Sequence, residues 1–468
     1  MNLLTIVLPA AAVLLAAYLV YGRILGRLLR LDPEAPTPAV QLRDGMDFEP
    51  LPVGGLLPQH FSAIAAAGPI VGPILAGVAF GWLPALIWIL AGSILVGGVH
   101  DMVALTASIR HRGESIAEVV RQHMSRRSYL MFLAFIWLAL VYIIVAFTDV
   151  TAASFVGPGL PELGGVGGGA IASASLIYLG LTLAMGVAMR RFGLPSWAAL
   201  CIFLPLVAGA IVAGPYLPLD LGALTGRTAA EAQRLWGVLL LAYCLLAGVL
   251  PVWLLLQPRG QLGGYFLYAA LGAGALGLAL GGAKAEYPMF RGWEALQKDG
   301  TAAPLFPLLF ITIACGACSG FHSLIASGTT SKQLRRESDA KLVGYGAMLL
   351  EAMVAIVSLC CVMMFAPGAP QLSGSPNQIY AAGIGKFLEV VHLPVAIGMT
   401  FALMAFTTFV YDTLDVCTRL GRFILQELTG WRGAGGRFFG TALTAGAPLF
   451  FLLRPQADAA VPVWRVFW

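Results

Sequence analysis

Long apolar runs dominate this sequence and restrict it to folds that a lipid bilayer can solvate. Stretches of about 20 apolar residues, enough to cross roughly 30 Å of hydrocarbon as a helix, recur throughout its 468 residues. Charged residues make up 11% of the chain, against about 25% in a soluble domain. So few charges cannot cover the surface of a globule in water. An ordinary soluble enzyme, a nucleic-acid-binding protein and a disordered chain are therefore excluded.

The runs predict an all-α polytopic membrane protein with about twelve spans in a single transmembrane domain covering residues 1–468. The predicted spans are 3–29, 56–78, 83–109, 128–156, 171–189, 195–215, 236–257, 262–282, 304–328, 341–366, 391–417 and 438–453. Arg23, Arg27 and Arg30 follow the first run, which is the reverse of a cleaved signal peptide, so we expect a retained helix.

The basic residues predict the orientation of these spans. With the N-terminus outside, 20 of the 28 Lys and Arg residues fall on inner segments and 8 on outer segments. Positive charge concentrates on the cytoplasmic side of membrane proteins. We therefore expect both termini outside.

The second span contains a cluster of helix-breaking residues at membrane depth. Gly68-Pro69 and Gly72-Pro73 place two Gly-Pro steps within one run, and each Pro removes a backbone hydrogen bond and disfavours helix in the residue before it. The pattern predicts two half-helices whose free backbone groups line a site. The alternative is a simple proline kink filled by a neighbouring helix.

A second break is predicted in span seven, at Gly248 and Pro251. It lies five spans after the first, and five is odd, so a repeated five-helix unit would insert upside down. This spacing predicts an inverted-repeat transporter core with units 56–215 and 236–417. The spans 3–29 and 438–453 would flank that core.

Span nine carries the densest patch of polar residues. Ser319, His322 and Ser323 fall at i, i+3 and i+4, hence on one helix face, and Thr329 and Thr330 follow. Hydroxyls beside unwound backbone can coordinate Na⁺ or bind a carboxylate. The alternative is packing of small and hydroxyl residues between helices.

A few ionisable residues lie within apolar runs and are candidates for proton coupling. Glu351 lies near the middle of span ten, where a carboxylate is costly unless it is protonated, paired or functional. Asp149 and His60 are weaker candidates. His100-Asp101 lies at the inner end of span three, where ordinary interfacial solvation is expected.

Two further acids lie near the inner end of span eleven. Asp412 and Asp415 precede Arg419 and Arg422 on the same helix. These acids are further weak candidates for a proton relay or a cation ligand, and the alternative is that they pair with the two arginines at the membrane interface.

Two motifs suggest cofactor binding, but their positions in the sequence argue against it. Gly272-x-Gly274-x-x-Gly277 matches a dinucleotide fingerprint but lies in a membrane helix with no strand before it. Cys315-x-x-Cys318 has no second Cys or His pair at zinc spacing. The sequence predicts no cofactor and no metal.

Several ordered blocks resemble the carbon starvation protein A family of peptide and pyruvate transporters. The blocks are Asp44-Gly-Met-Asp-Phe-Glu-Pro50, Gln59-His-Phe-Ser-Ala-Ile-Ala-Ala-Ala-Gly-Pro-Ile-Val-Gly-Pro73, Leu250-Pro-Val-Trp-Leu-Leu-Leu-Gln-Pro-Arg259, Thr312-Ile-Ala-Cys-Gly-Ala-Cys-Ser-Gly-Phe-His-Ser-Leu-Ile-Ala-Ser-Gly-Thr-Thr330 and Thr413-Leu-Asp-Val-Cys-Thr-Arg-Leu-Gly-Arg422. Typical members have His-His where this chain has Gln59-His60.

The resemblance implies a proton-coupled importer of short peptides or pyruvate in the bacterial cytoplasmic membrane, with Na⁺ as the alternative coupling ion. It also implies a fold akin to the amino acid–polyamine–organocation (LeuT-like) superfamily, with two inverted five-helix repeats. The implied partners are a small-molecule substrate and membrane lipid, with no nucleic acid. Two alternatives stay open, a membrane sensor on a transporter fold and a metal-dependent membrane enzyme. An uptake assay and a metal assay distinguish them.

Overall fold

The computed structural model describes residues 1–157, 167–296, 301–431 and 433–453. Helices fill most of this length, as the apolar runs predict. The first eleven helices are α1 Leu4–Leu19, α2 Tyr21–Leu28, α3 Pro38–Gln41, α4 Val53–Ala65, α5 Gly68–Phe80, α6 Trp82–Gly92, α7 Gly98–Arg110, α8 Ile116–Val120, α9 Arg126–Ser154, α10 Gly168–Arg191 and α11 Ser196–Ala213.

The second half of the chain adds ten helices and one small hairpin. The helices are α12 Leu221–Thr225, α13 Ala229–Val249, α14 Leu256–Leu280, α15 Leu305–Thr312, α16 Ala314–Cys318, α17 Gly320–Gly328, α18 Ala347–Met363, α19 Pro376–Glu389, α20 Val395–Thr429 and α21 Ala434–Leu453. Strands β1 Glu294–Leu296 and β2 Ala302–Pro304 pair antiparallel. Two π-helical turns, Ser93–Gly97 and Lys341–Gly346, adjoin α6–α7 and α18.

In the described part of the chain, ten helices are long and apolar enough to cross a membrane. The pair α4 and α5, bent by 42°, makes an eleventh. The remaining predicted span, 304–328, is divided among the three short helices α15, α16 and α17. The structure is thus a mostly helical, multi-pass membrane protein.

The break predicted in span seven is wrong. Helix α13 continues unbroken through Gly248 and ends at Val249, and α14 begins at Leu256 as a separate span. Pro251 therefore lies in the link between two spans, because a residue without an N–H fits after the end of a helix. The second interrupted span is 305–328 instead.

Helices α18 and α20 form the centre of the bundle and are largely buried, whereas α1 and α2 are mostly exposed at its periphery. Helix α20 packs along α9 and α19, α18 packs against α5, and α14 packs against α4. The two interrupted spans and the ionisable residues of α18 and α20 therefore face one another in the interior.

Candidate functional site

The first break lies between α4 and α5, immediately before Gly68. Ala66 leaves the helical region at φ 3° and ψ −145°, and α5 then starts with Pro69 in its first turn, where proline needs no donor. Pro73 lies inside α5 and makes no second break. The predicted interruption of this span is confirmed at its Gly68-Pro69 step.

The second interrupted span is broken twice, at Ile313 and at Ser319. Ser319 is extended, at φ −66° and ψ 115°, and stands between α16 and α17. Gly72 of α5 approaches this span so closely that a Cβ atom there would lie 2.3 Å from the carbonyl oxygen of Thr312. The two interrupted spans therefore contact each other backbone to backbone.

Helix α17 places His322 between two carboxylates. Its Nδ1 lies 3.3 Å from Oδ2 of Asp101 on α7, and its Nε2 lies 3.3 Å from Oε2 of Glu351 on α18. All three side chains are fully buried. We call His322, Asp101 and Glu351 the His322 cluster.

The His322 cluster is constrained by how many protons it can hold. A neutral imidazole has one donor and one acceptor nitrogen, so it can donate to one carboxylate only, and the other carboxyl must donate to the ring. An imidazolium between two carboxylates holds the same number of protons. Removing one proton leaves two buried negative charges beside a neutral ring, which is costly. Of the two proton counts, the higher one is therefore favoured in this buried site.

His100 on α7 and Ser323 on α17 adjoin the His322 cluster. Nδ1 of His100 lies 2.8 Å from Oδ1 of Asp101 and 2.9 Å from Oγ of Ser323. The expectation that His100-Asp101 is solvated at the interface is wrong for Asp101, which is fully buried. Packing of α17 against α7 removes this carboxylate from water.

The other residues predicted for this patch lie along the same interrupted span. Ser319 precedes α17 and is nearly buried. Thr329 donates to the carbonyl of Ile325, and Oγ1 of Thr330 lies 2.8 Å from Nδ1 of His60. His60 on α4 thus contacts the end of the second interrupted span.

Three other predicted site residues lie apart from the His322 cluster. Oδ1 of Asp149 accepts a hydrogen bond of 2.9 Å from Nε2 of Gln233 on α13. Gly248 stands near the end of α13, where its carbonyl accepts from Arg422, and Pro251 follows that helix end. The sequence pattern does not separate such helix-end positions from a mid-span break.

The atoms of Cys315, His322 and Glu351 are near enough to share a metal ion. One ligand atom of each lies within 4.8 Å of the others, and Sγ of Cys315 is 3.9 Å from Nε2 of His322. Thiolate, imidazole and carboxylate are all zinc ligands. The geometry is compatible with the metal-dependent alternative, although the sequence predicts no metal.

A second buried charged group surrounds Arg259 at the start of α14. Its Nε lies 3.3 Å from Oδ1 of Asp412, and its Nη1 lies 2.5 Å from Oδ2 of Asp415. Its guanidinium also lies over the ring of Tyr411, with Cζ 4.7 Å from the ring centre. The alternative that Asp412 and Asp415 pair with the arginines of their own helix is wrong, because α14 brings Arg259 against that face of α20.

Arg419 and Arg422 instead hold the segment before α4. Nη2 of Arg422 donates to Oδ1 of Asp47 at 2.7 Å, and Nη1 of Arg419 reaches the same oxygen at 3.3 Å. Burial raises the pKa of Asp47, but Arg422 and Arg419 outweigh it and hold that pKa below its usual range. Nearby, burial lowers the pKa of Lys332 to about 8.

Sequence reasoning missed Asp101, Arg259 and Asp47 as interior ionic residues. The sequence of α20 carries one signal of buried ionic residues. Four charged residues recur there at three- and four-residue intervals, namely Asp412, Asp415, Arg419 and Arg422. Such spacing puts all four on one face of a helix. In contrast, nothing in the sequence around Arg259 separates it from an arginine at the membrane interface.

A family model described as carbon starvation protein CstA matches residues 2–377 and 370–467 of this chain. The chain belongs to this family. The resemblance inferred from the sequence blocks is therefore confirmed.

Relatives in the CstA family carry transporter names. The peptide transporter CstA of Bacillus subtilis (strain 168) is 32% identical, over 92% of this chain and 75% of that protein. The peptide transporter CstA of Escherichia coli (strain K12) is 36% identical, over 92% of this chain and 67% of that protein. The pyruvate/proton symporter BtsT of E. coli is 34% identical, over 83% of this chain and 52% of that protein.

Among solved structures, a manganese transporter of Eremococcus coleocola, in complex with an aromatic bis-isothiourea substituted compound, is similar over 87% of this chain and 74% of that chain. The TM-score is 0.40 and the sequence identity is 14%. This similarity is too low to support an argument about substrate or metal.

Proposed function

We propose that this CstA-family chain is a secondary active transporter that imports short peptides or a small carboxylate such as pyruvate, coupled to H⁺ or Na⁺. The observation that carries the proposal is the position of His322 between Asp101 and Glu351, beside a twice-interrupted membrane span. Family membership and the names of the relatives support it. The protein lies in the bacterial cytoplasmic membrane with both termini outside.

The proposed mechanism is alternating access around the two interrupted spans, 53–80 and 305–328. Each span is followed by a helix that contains a π turn, Ser93–Gly97 in the first case and Lys341–Gly346 in the second. Helix α5 packs on α18, and α17 packs on α7, so the contacts are reciprocal. This pattern supports an inverted repeat, with boundaries other than the predicted 56–215 and 236–417.

In this mechanism Glu351 is the proton-linked carboxylate. A proton on the His322 cluster removes the repulsion between its two buried carboxylates. Release of that proton restores the repulsion. His60 connects the cluster region to α4 through Thr330. We assign no coupling role to Asp149, because its carboxylate is bonded to Gln233 on α13.

We place the substrate contacts at the breaks in the two interrupted spans. Gly68 and Pro69 begin α5, and Ser319 immediately precedes α17. Backbone N–H groups at these two helix starts, Pro69 having none, can bind a substrate carboxylate. Ser323, Thr329 and Thr330 supply hydroxyls along the same path. Gly248 and Pro251 have no place in it, because they lie near the end of α13.

The test is uptake by the purified full chain in proteoliposomes. Labelled pyruvate and labelled dipeptides are supplied under an imposed inward pH gradient, with and without Na⁺. Accumulation is expected for at least one substrate class. An uncoupler abolishes it if the coupling ion is H⁺, and omission of Na⁺ abolishes it if the coupling ion is Na⁺. Absence of accumulation of both classes under every gradient would rule out the proposal.

The metal-dependent enzyme is the second candidate, because Cys315, His322 and Glu351 lie close together. Metal analysis of the purified chain distinguishes it from the transporter. Stoichiometric bound metal, reduced by Cys315→Ser but unaffected by Cys201→Ser at an exposed cysteine, would favour it. A sensor would bind substrate without moving it across the membrane.

A further inference from the structure

Three side chains that can bind a metal ion come together from three different helices. Cys315 lies on α16, His322 on α17 and Glu351 on α18, and the break at Ser319 separates α16 from α17. His322 and Glu351 are fully buried, and Cys315 is partly exposed. We call Cys315, His322 and Glu351 the Cys315 triad.

The carboxylate of Glu351 has no hydrogen-bond donor among the described residues, for either of its oxygens. Its Oε2 lies 3.3 Å from Nε2 of His322, and Sγ of Cys315 lies 3.9 Å from the same nitrogen. Buried polar atoms normally have a partner. Carboxylate oxygen, imidazole nitrogen and thiolate sulfur all donate electron pairs, so one cation can serve as the partner of all three.

The other ring nitrogen of His322 is held as it is in metal sites. Nδ1 lies 3.3 Å from Oδ2 of Asp101, and Oδ1 of Asp101 lies 2.8 Å from Nδ1 of His100. Histidines that ligate a metal almost always direct their second nitrogen at a carboxylate, a carbonyl or water, which fixes the tautomer and the orientation of the ring. Asp101 therefore orients Nε2 of His322 toward the other two members of the triad.

The chemistry of the three donor atoms favours a thiophilic divalent cation. Sulfur and imidazole ligands suit Zn²⁺, whereas Mg²⁺ and Ca²⁺ take oxygen ligands. Tetrahedral Zn²⁺ coordination places nitrogen and oxygen ligands about 3.4 Å apart, and sulfur and nitrogen ligands about 3.5 Å apart. The corresponding distances in the triad are 3.3 Å and 3.9 Å, so a small movement of Cys315 completes the geometry.

The Cys315 triad lies where the two interrupted spans meet. A Cβ atom on Gly68, at the start of α5, would lie 2.2 Å from Sγ of Cys315. Cys315 and His322 stand on opposite sides of the break at Ser319. An ion bound to both residues and to Glu351 therefore bridges that break and joins it to α18. The short helices α16 and α17 could then no longer move relative to α18.

We propose that Cys315, His322 and Glu351 form an inhibitory site for one thiophilic divalent cation, which fixes the second interrupted span against α18. The inhibition rests on the proposed transport function, whereas binding of the ion is a property of the purified protein. The proposal differs from the metal-dependent enzyme, which needs a resident metal for its activity. The inhibitory ion is exchangeable, and a chelator removes it.

Binding is measured on the purified full chain in detergent, after treatment with a chelator and a reductant. Co²⁺ is the spectroscopic probe, because a thiolate ligand gives it a charge-transfer band in the near ultraviolet, and Zn²⁺ is then added to displace it. The variant is Cys315→Ser. The matched control is Cys318→Ser, at a partly exposed cysteine of the same short helix that lies outside the triad.

The expected band corresponds to one Co²⁺ for each chain, disappears when Zn²⁺ is added, and is lost in Cys315→Ser but kept in Cys318→Ser. Asp101→Asn should weaken Zn²⁺ binding by about 10–100-fold, because it removes the carboxylate that orients His322. If Cys315→Ser does not fold, Glu351→Gln must weaken Zn²⁺ binding instead. No band in the wild type, or equal loss of the band in both cysteine variants, would overturn the proposal.

Inhibition is measured as uptake of labelled pyruvate and labelled dipeptides in proteoliposomes, for each variant relative to its own uptake without added metal. Zn²⁺ should inhibit the wild type and Cys318→Ser, a chelator should reverse the inhibition, and Cys315→Ser should be insensitive. Wild-type uptake that Zn²⁺ does not change, or uptake that requires the metal, would contradict an inhibitory site. Co²⁺ binding at the triad in a chain that takes up neither substrate class would instead count against the transport function alone.

Discussion

Nε2 of His322 lies 3.3 Å from Oε2 of Glu351, and both side chains are fully buried within the helical bundle. Neither carboxylate oxygen of Glu351 accepts a hydrogen bond from a described residue, so the ring is its principal polar neighbour. Because a buried carboxylate without a counterion is costly, the proton on this pair should control the conformations that the helices can adopt.

The first prediction concerns Glu351→Gln. The amide keeps the shape of the side chain but cannot gain or lose a proton at physiological pH. We expect proton-driven accumulation to be lost while exchange of substrate across the membrane continues. Uptake under a pH gradient and counterflow without a gradient, measured on the same proteoliposomes, check this. Gradient-driven uptake equal to that of the wild type would remove Glu351 from the coupling mechanism.

The second prediction concerns His322→Asn, which removes the ring between Asp101 and Glu351. Breaking a buried ionic arrangement by removing one partner costs about 3–5 kcal/mol, so we expect a marked fall in Tm in detergent. Ser323→Ala is the comparison, because it loses only the contact of its hydroxyl with His100. It should cost roughly 0.5–1.5 kcal/mol. Equal effects of the two substitutions would show that the cluster is not an ionic unit.

The third prediction is a pH dependence that comes from Asp47. Its pKa in the folded protein lies below the usual value because of Arg422 and Arg419. A lowered carboxylate pKa contributes stability that is present above the unfolded value of about 3.9 and is lost as pH falls through the folded value. Asp47→Asn should therefore be less stable than the wild type at pH 7 by about 1.5–3 kcal/mol.

The difference between Asp47→Asn and the wild type should shrink as the pH is lowered below about 4. Thermal unfolding of both proteins at pH 7 and at pH 3 measures it. Asp32→Asn, at an exposed position, is the control and should show little change at either pH. A deficit in Asp47→Asn that is the same at both pH values would contradict an electrostatic origin.

The fourth prediction tests the contact between the two interrupted spans. Gly72→Ala places a Cβ atom 2.3 Å from the carbonyl oxygen of Thr312, so the helices must separate. Overpacking of this kind costs about 1–3 kcal/mol. Gly180→Ala, on a helix position with nothing within 4 Å, should be neutral or slightly stabilising. Comparable Tm values for the two variants would indicate that the two spans can separate at this contact without loss of stability.

The sequence predicted the membrane class, the mostly helical fold and the interruption at Gly68-Pro69, because apolar length and proline chemistry are local properties. It also selected His322 and Glu351 as functional candidates from their polarity in apolar runs. The predicted break at Gly248-Pro251 is wrong, and the reason is also local. A Gly and a Pro near a helix end look the same in sequence as a break within a span.

Apolar length identifies which residues lie in the membrane, and side-chain polarity identifies which of them lipid cannot solvate. Their partners depend on the packing of the helices. Asp101 meets His322 across 221 residues of chain, and Arg259 rather than Arg419 meets Asp415, because helix packing selects pairs by distance in space. A charge buried among apolar helices is costly without a counterion, but the position of that counterion depends on which helices become neighbours.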